Sequence, residues 1–194
     1  MLALDASFIN AWEQRYDEIE SDEDEYRRLL DLVAADFRSV GTLRRESFLQ
    51  VFRWKGAMRV IRHVRLDSYD SLYAPAFRRA LSAPIEFKLA ELLGDSNKLP
   101  GIGAPTGSTL LHFMCPEVVP IIDFRTVEVL HAAGLLKSRS NQYENYTAFR
   151  QAIEKIRAAC PRYSLREIDR ALFAFHKLEL EPSCESDRAR SCSA

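Results

Sequence analysis

Apolar residues recur at a helical period through almost the whole chain, and nowhere do they alternate in the two-residue rhythm of a half-buried strand. Tyr26, Leu29, Leu30, Val33, Phe37 and Val40 fall on one helical stripe, opened by Ser21 and by the carboxylates Asp22, Glu23 and Asp24. Phe48, Val51 and Phe52 mark a second helix, and Met58, Ile61 and Val64 a third. Pro75 suits the first turn of a helix carrying Phe77, Ala80 and Leu81. Another is expected from Ser82 and Pro84 through Ile85, Leu89, Leu92 and Leu93, stopped by Gly94. Phe149, Ala152, Ile153 and Ile156 form a stripe that ends at Pro161, and Ser164 with Glu167 reads as a capping box for Ile168, Ala171, Leu172 and Phe175. The pattern predicts an all-α multi-helix bundle of roughly eight to ten helices. One helical unit is expected over 1–180, with the N- and C-terminal helices as candidates for a second lobe. Residues 181–194 read as a flexible tail, and Ser138–Gln142 as a polar connection.

Composition narrows the class. A length of 194 residues supports a real core. With 47% hydrophobic and 28% charged residues, and only 7 Gly and 8 Pro, the chain is neither disordered nor collagen-like. The longest charge-free window, Leu99–Pro116, spans 18 residues but holds three Gly and three Pro, too broken for a membrane helix. The start, MLALDASF, lacks a basic region and a long apolar run, so no signal peptide and a cytoplasmic location are expected. Cys115, Cys160, Cys184 and Cys192 then read as free thiols in a reducing compartment. His63, His112, His131 and His176 show no metal-ligand spacing, and no phosphate-loop, dinucleotide or nucleophile-elbow motif is present. No metal and no cofactor are expected.

The net charge of −1 hides a strong asymmetry. Residues 17–25, DEIESDEDE, hold seven carboxylates and no base. Residues 26–194 carry 26 basic against 19 acidic side chains, and Arg38–Arg79 ten against three. Arg53 and Lys55 lie in this basic stretch, and Lys55, Arg59 and Arg62 have the spacing of one helical face. That face suits phosphate contact. Taken alone, the spacing more often marks a solvated face, here one pairing with the acidic segment.

Leu99–Leu130, LPGIGAPTGSTLLHFMCPEVVPIIDFRTVEVL, carries the most information. Gly101 and Gly103 flank Ile102 between two apolar helices, a pattern for a tight hairpin in which glycine permits positive φ and close backbone approach. Ile102 can tuck beneath the turn. Pro105 and Thr106 suit the first turn of the next helix, whose unsatisfied N–H groups can hold a phosphate without a cationic side chain. Asp123, after the apolar run Pro120-Ile121-Ile122, reads either as the N-cap of a helix from Phe124 or as a partly desolvated functional carboxylate. Both roles are compatible.

This stretch resembles the helix-hairpin-helix DNA glycosylase superfamily, the group of endonuclease III and the alkyl-base glycosylases. The likeness covers about 30 residues: the family's L-P-G-(V/I)-G hairpin at Leu99–Gly103, a small-residue helix, an apolar segment, and an Asp at position 123, twenty-two residues after Gly101. The resemblance implies the family's all-helical fold and a duplex DNA partner, with Gly101, Ile102, Gly103 and Thr106 holding a backbone phosphate. It also implies that Asp123 stabilises a developing sugar cation and directs a water at a flipped nucleotide. Where lyase members carry a Lys nucleophile two residues after the second hairpin glycine, this chain has Pro105, so no Schiff-base lyase activity is expected. The implied activity is monofunctional N-glycosylase, a hydrolase of base excision repair. The cysteines lack the spacing of the endonuclease III iron–sulfur motif, so no cluster is expected. Arg125 stands where lyase members often have His, and suits either a phosphate or a carboxylate partner. Trp54, Tyr73 and His112, with Tyr69, are candidates for a base-stacking pocket, though aromatics at helical spacing are more often core. Two other classes stay open: a helix-hairpin-helix DNA-binding module without chemistry, and a helical protein-interaction domain that uses the acidic segment.

Overall fold

The computed structural model describes residues 2–181. These form an all-helical chain, with no strand among the described residues. The helices are α1 (Ala6–Glu13), α2 (Glu23–Val40), α3 (Arg45–Trp54), α4 (Ala74–Ser82), α5 (Ala90–Leu93), α6 (Ala104–Met114), α7 (Phe124–Ala132), α8 (Tyr146–Ala159) and α9 (Leu165–Phe175). A 3-10 helix covers Ala57–His63, and π-helical turns cover Tyr69–Tyr73 and His176–Leu180. None of the described helices is long and apolar enough to cross a membrane.

The chain divides into two units. Among the described residues, the first comprises 2–21, 123–140 and 148–181. Here α1 and α9 pack together, so the two chain ends share one core. Phe8 and Trp12 meet Phe175 with centroids 5.2 and 5.0 Å apart, each edge to face, a geometry that adds about 0.5–1.5 kcal/mol per pair beyond burial. Tyr16 packs on Phe173 and lies beneath the guanidinium groups of Arg166 and Arg170. Arg170, itself buried, pairs with Glu13 at 3.3 Å and Asp17 at 2.9 Å. The Ser164–Glu167 capping box forms as expected and starts α9. The expected tail 181–194 lies outside the described residues except Glu181, which pairs with Lys177 at 2.7 Å.

The second unit comprises residues 22–122 and 141–147. Its central element is α6, buried over almost its whole length and packed against α2, α3, α4 and α5. Gly107 makes this density attainable: a Cβ there would sit 3.1 Å from Leu89 and 3.3 Å from Ile102. One aromatic cluster joins Phe48, Phe52, Tyr69, Tyr73 and Phe77. A second joins Tyr26, Trp54, Phe113 and His112.

Three local expectations change. The helix α2 starts one residue later than Ser21 implies, with Asp22 at the N-cap, and its first-turn carboxylates Glu23, Asp24 and Glu25 face the positive end of the dipole. The helix expected from Ser82 shrinks to the four residues of α5. Its beginning is diverted because Lys88 buries its ammonium against the end of α4, donating to the carbonyls of Ala80 at 2.9 Å and Leu81 at 2.7 Å. The third helix is a 3-10 helix rather than an α-helix, because Gly56 turns left-handed (φ +69°) directly after α3.

Candidate nucleic-acid interface

The turn before α6 follows from its residues. Pro100 and Gly101 take the two central positions of a β-turn closed by the Ile102 N–H on the Leu99 carbonyl at 3.2 Å. Gly101 has φ +76°, which the third position of a type II turn requires. It has no room for a side chain either: a Cβ would lie 2.7 Å from the Val64 backbone nitrogen and 2.8 Å from the His63 carbonyl carbon. The turn is therefore pressed onto the backbone at 63–64. Ile102 is buried beneath it.

Gly103 differs. Its backbone is extended (φ −108°, ψ 174°), and the nearest atom to an added Cβ is Pro105 Cδ at 3.9 Å. Neither backbone nor packing demands glycine there. Gly103 is exposed and is the N-cap of α6, without a side-chain cap bond. Pro105 brings no N–H, and the N–H groups of Ala104 and Thr106 have no acceptor among the described residues. Thr106 itself is buried, so what it offers at this helix end is its backbone donor.

Tyr73 fixes the turn from the other side. Its hydroxyl donates to the Pro100 carbonyl at 2.7 Å and accepts from the Arg65 N–H at 3.0 Å. Burial raises its phenol above the ordinary tyrosine range, against a smaller opposite pull from the Arg65 N–H. Tyr73 is fully buried and its ring stacks on Tyr69, so it supports the hairpin from within the core.

The same contact brings basic side chains to the turn. Arg59, Arg62 and Arg65 are exposed, and none forms an ion pair among the described residues. Arg62 has a single partner, His63, through an Nε to Nε2 contact of 3.3 Å. Lys55 and Arg59 do not share a continuous helical face, because α3 ends at Trp54 and the chain reverses its twist at Gly56. Arg53 is exposed in the last turn of α3. Within the acidic segment, Glu23 pairs with Arg27 at 3.2 Å, Glu25 with Arg28 at 2.7 Å, Glu18 with Arg15 and Asp17 with Arg170. Hydrogen bonding from Arg28 holds the Glu25 carboxyl below its ordinary range.

His112 belongs to the core. Its Nδ1 lies 2.7 Å from the Val119 carbonyl and its Nε2 2.7 Å from the Tyr26 hydroxyl. A carbonyl only accepts, so Nδ1 carries the proton and Nε2 accepts from Tyr26. Trp54 packs edge to face on Phe113, with centroids 5.1 Å apart. Trp54 and His112 thus sit in one aromatic cluster and Tyr73 in the other, each engaged with protein neighbours.

Asp123 belongs to the first unit. It is the N-cap of α7: Oδ1 accepts from the Arg125 N–H at 3.1 Å, and Thr126 Oγ1 completes a capping box by accepting from the Asp123 N–H at 3.2 Å. Its side chain retains 16% exposure. The Arg125 guanidinium lies 3.8 Å from Asp123 and 3.9 Å from Glu181, stacked over Phe124 at 4.3 Å and Phe173 at 5.0 Å. Sequence reasoning missed Phe124, which keeps 42% exposure despite its size, and the buried His176, whose Nε2 lies 2.6 Å from Glu128. It also missed Val64, Arg65 and the supporting role of Tyr73. The period-three repeat of Arg59, Arg62 and Arg65 was the available signal for the basic row.

No group of three or more His, Cys, Asp or Glu suited to a metal ion occurs among the described residues. Cys115 and Cys160 are free thiols, while Cys184 and Cys192 lie outside the described residues. Comparison of the chain with protein-family models, with curated proteins and with solved structures finds no match.

Proposed function

We propose that this chain is a helix-hairpin-helix protein that binds duplex DNA through the turn at Gly101–Gly103. The observation that carries the reading is the pairing of an open helix end with unpaired arginines. The uncapped Ala104 and Thr106 N–H groups follow a turn that rests directly on the backbone between Arg62 and Arg65. Backbone donors at a helix start hold an anion in place, and exposed guanidinium groups supply the longer-range attraction. Gly103 supports the same reading, because its missing side chain answers no need of the fold and leaves the helix end open to a bulky ligand.

Within this reading, the resemblance of Leu99–Leu130 to the DNA glycosylases assigns Asp123 the role of the carboxylate that steadies a sugar cation and directs water. Pro105 in place of an amine nucleophile fits a monofunctional hydrolase. A second reading, a DNA-binding module without chemistry, is favoured by one observation: the capping box and Arg125 account for Asp123 without any substrate. Single-turnover assays on a panel of damaged and mismatched duplexes decide between them. Base release by the wild type that is lost in Asp123→Asn establishes the glycosylase. DNA binding without release from any lesion establishes the module. Absence of salt-dependent DNA binding at low ionic strength removes both.

A further inference from the structure

The 3-10 helix Ala57–His63 is seven residues long, whereas runs beyond about three or four are uncommon. Its repeat of three residues per turn, unlike that of an α-helix, superimposes every third side chain on one edge. Arg59 and Arg62 occupy such an edge; Val64 is extended, so Arg65 follows outside the helical repeat, with its N–H held at the turn by Tyr73. The facing edge, Met58, Ile61 and Val64, becomes progressively more buried toward the turn, and Val64 is the residue against which Gly101 rests.

All three guanidinium groups are exposed and without a carboxylate partner among the described residues, as are Arg38, Arg45 and Arg78; what sets the three apart is their place on the segment against which the turn rests. Three unpaired like charges on one short segment repel one another, and a linear polyanion relieves that repulsion. One 3-10 turn advances about 6 Å, close to the separation of successive phosphates along a single strand. The segment precedes α4 and α5 in sequence but ends beside the turn, held there by the Tyr73 hydroxyl between Arg65 and Pro100.

We infer that the arginine row and the turn form one continuous track that follows consecutive phosphates of a single DNA strand, with the turn at one end and Arg59 at the other. The inference rests on the DNA-binding reading and adds to it the strand, the register and the identity of the cations. It excludes a footprint that crosses the groove to the opposite strand.

The test uses the full chain and a set of duplexes, each with one phosphate neutralised as a methylphosphonate. Interference is expected at neighbouring phosphates confined to one strand. In parallel, Arg59→Gln with Arg62→Gln should lower the slope of log K against log salt by about 0.9 per arginine, while Arg59→Lys keeps the slope. Thermal unfolding of each variant establishes that the fold persists. Interference divided between both strands, or an unchanged salt slope in the double variant, overturns the track and leaves DNA binding by the turn standing. Failure of the wild type to bind any duplex at low salt overturns the DNA-binding reading and the track with it.

Discussion

The hydroxyl of Tyr73 donates to the carbonyl of Pro100 at 2.7 Å, so a fully buried side chain two helices earlier in the chain sets the position of the turn. The same oxygen accepts the Arg65 N–H. Turn and basic segment are therefore coupled through one atom, and its removal addresses both.

Replacing Tyr73 by Phe keeps the ring and strands a buried carbonyl and the Arg65 N–H. Loss of stability of about 1–3 kcal/mol is expected, read from urea unfolding. If the turn needs this support, duplex affinity falls further than stability alone explains under conditions where the variant is fully folded. Unchanged affinity in folded Tyr73→Phe shows that the turn holds its shape without the bond.

The two hairpin glycines should respond in opposite ways. Gly101→Ala meets both a left-handed backbone and atoms 2.7 Å away; the backbone alone costs roughly 1–2 kcal/mol, and the collision adds to it. Gly103→Asp introduces a favourable N-cap at an extended backbone, so stability should hold or rise by a few tenths of a kcal/mol. The new carboxylate also occupies the free N–H groups and repels phosphate. Loss of DNA binding with unaltered thermal unfolding is the expected result for Gly103→Asp, and retained binding removes the turn from the interface.

Asp123 needs two variants because it has two roles to separate. Asp123→Ala loses the cap of α7 and should cost about 0.5–2 kcal/mol. Asp123→Asn keeps an acceptor for the Arg125 N–H and removes the charge, so most of the stability should remain. A glycosylase would lose base release in both variants. A module would bind DNA with Asp123→Asn as the wild type does.

His112→Phe tests the interior assignment of that side chain. The substitution leaves the Val119 carbonyl and the Tyr26 hydroxyl without their partner, and a destabilisation of about 1–3 kcal/mol follows from two stranded buried groups. DNA affinity measured well below the unfolding transition should not change. A selective loss of affinity in the folded variant would return His112 to the binding site.

The helical class, the capping box at Ser164, the turn at Leu99–Ile102 and the N-cap at Asp123 were legible in the sequence because each depends on residues within one or two turns of one another. Local propensity and local hydrogen bonding decide such features. The aromatic positions were ambiguous for the opposite reason. Trp54, Tyr73 and His112 have the residue types of a stacking pocket, and only packing against Phe113, Tyr69 and Tyr26 commits them to the core.

By itself, then, the sequence determined the helical periodicity, the closed turn at Pro100–Gly101 and the concentration of positive charge before residue 80. Tertiary structure alone decided that α1 joins α9, that Lys88 diverts a predicted helix, and that His63–Val64 lies beneath Gly101. These pairings are distant in sequence. They are selected by which buried faces and stranded carbonyls can be satisfied together, a condition that belongs to the folded chain as a whole.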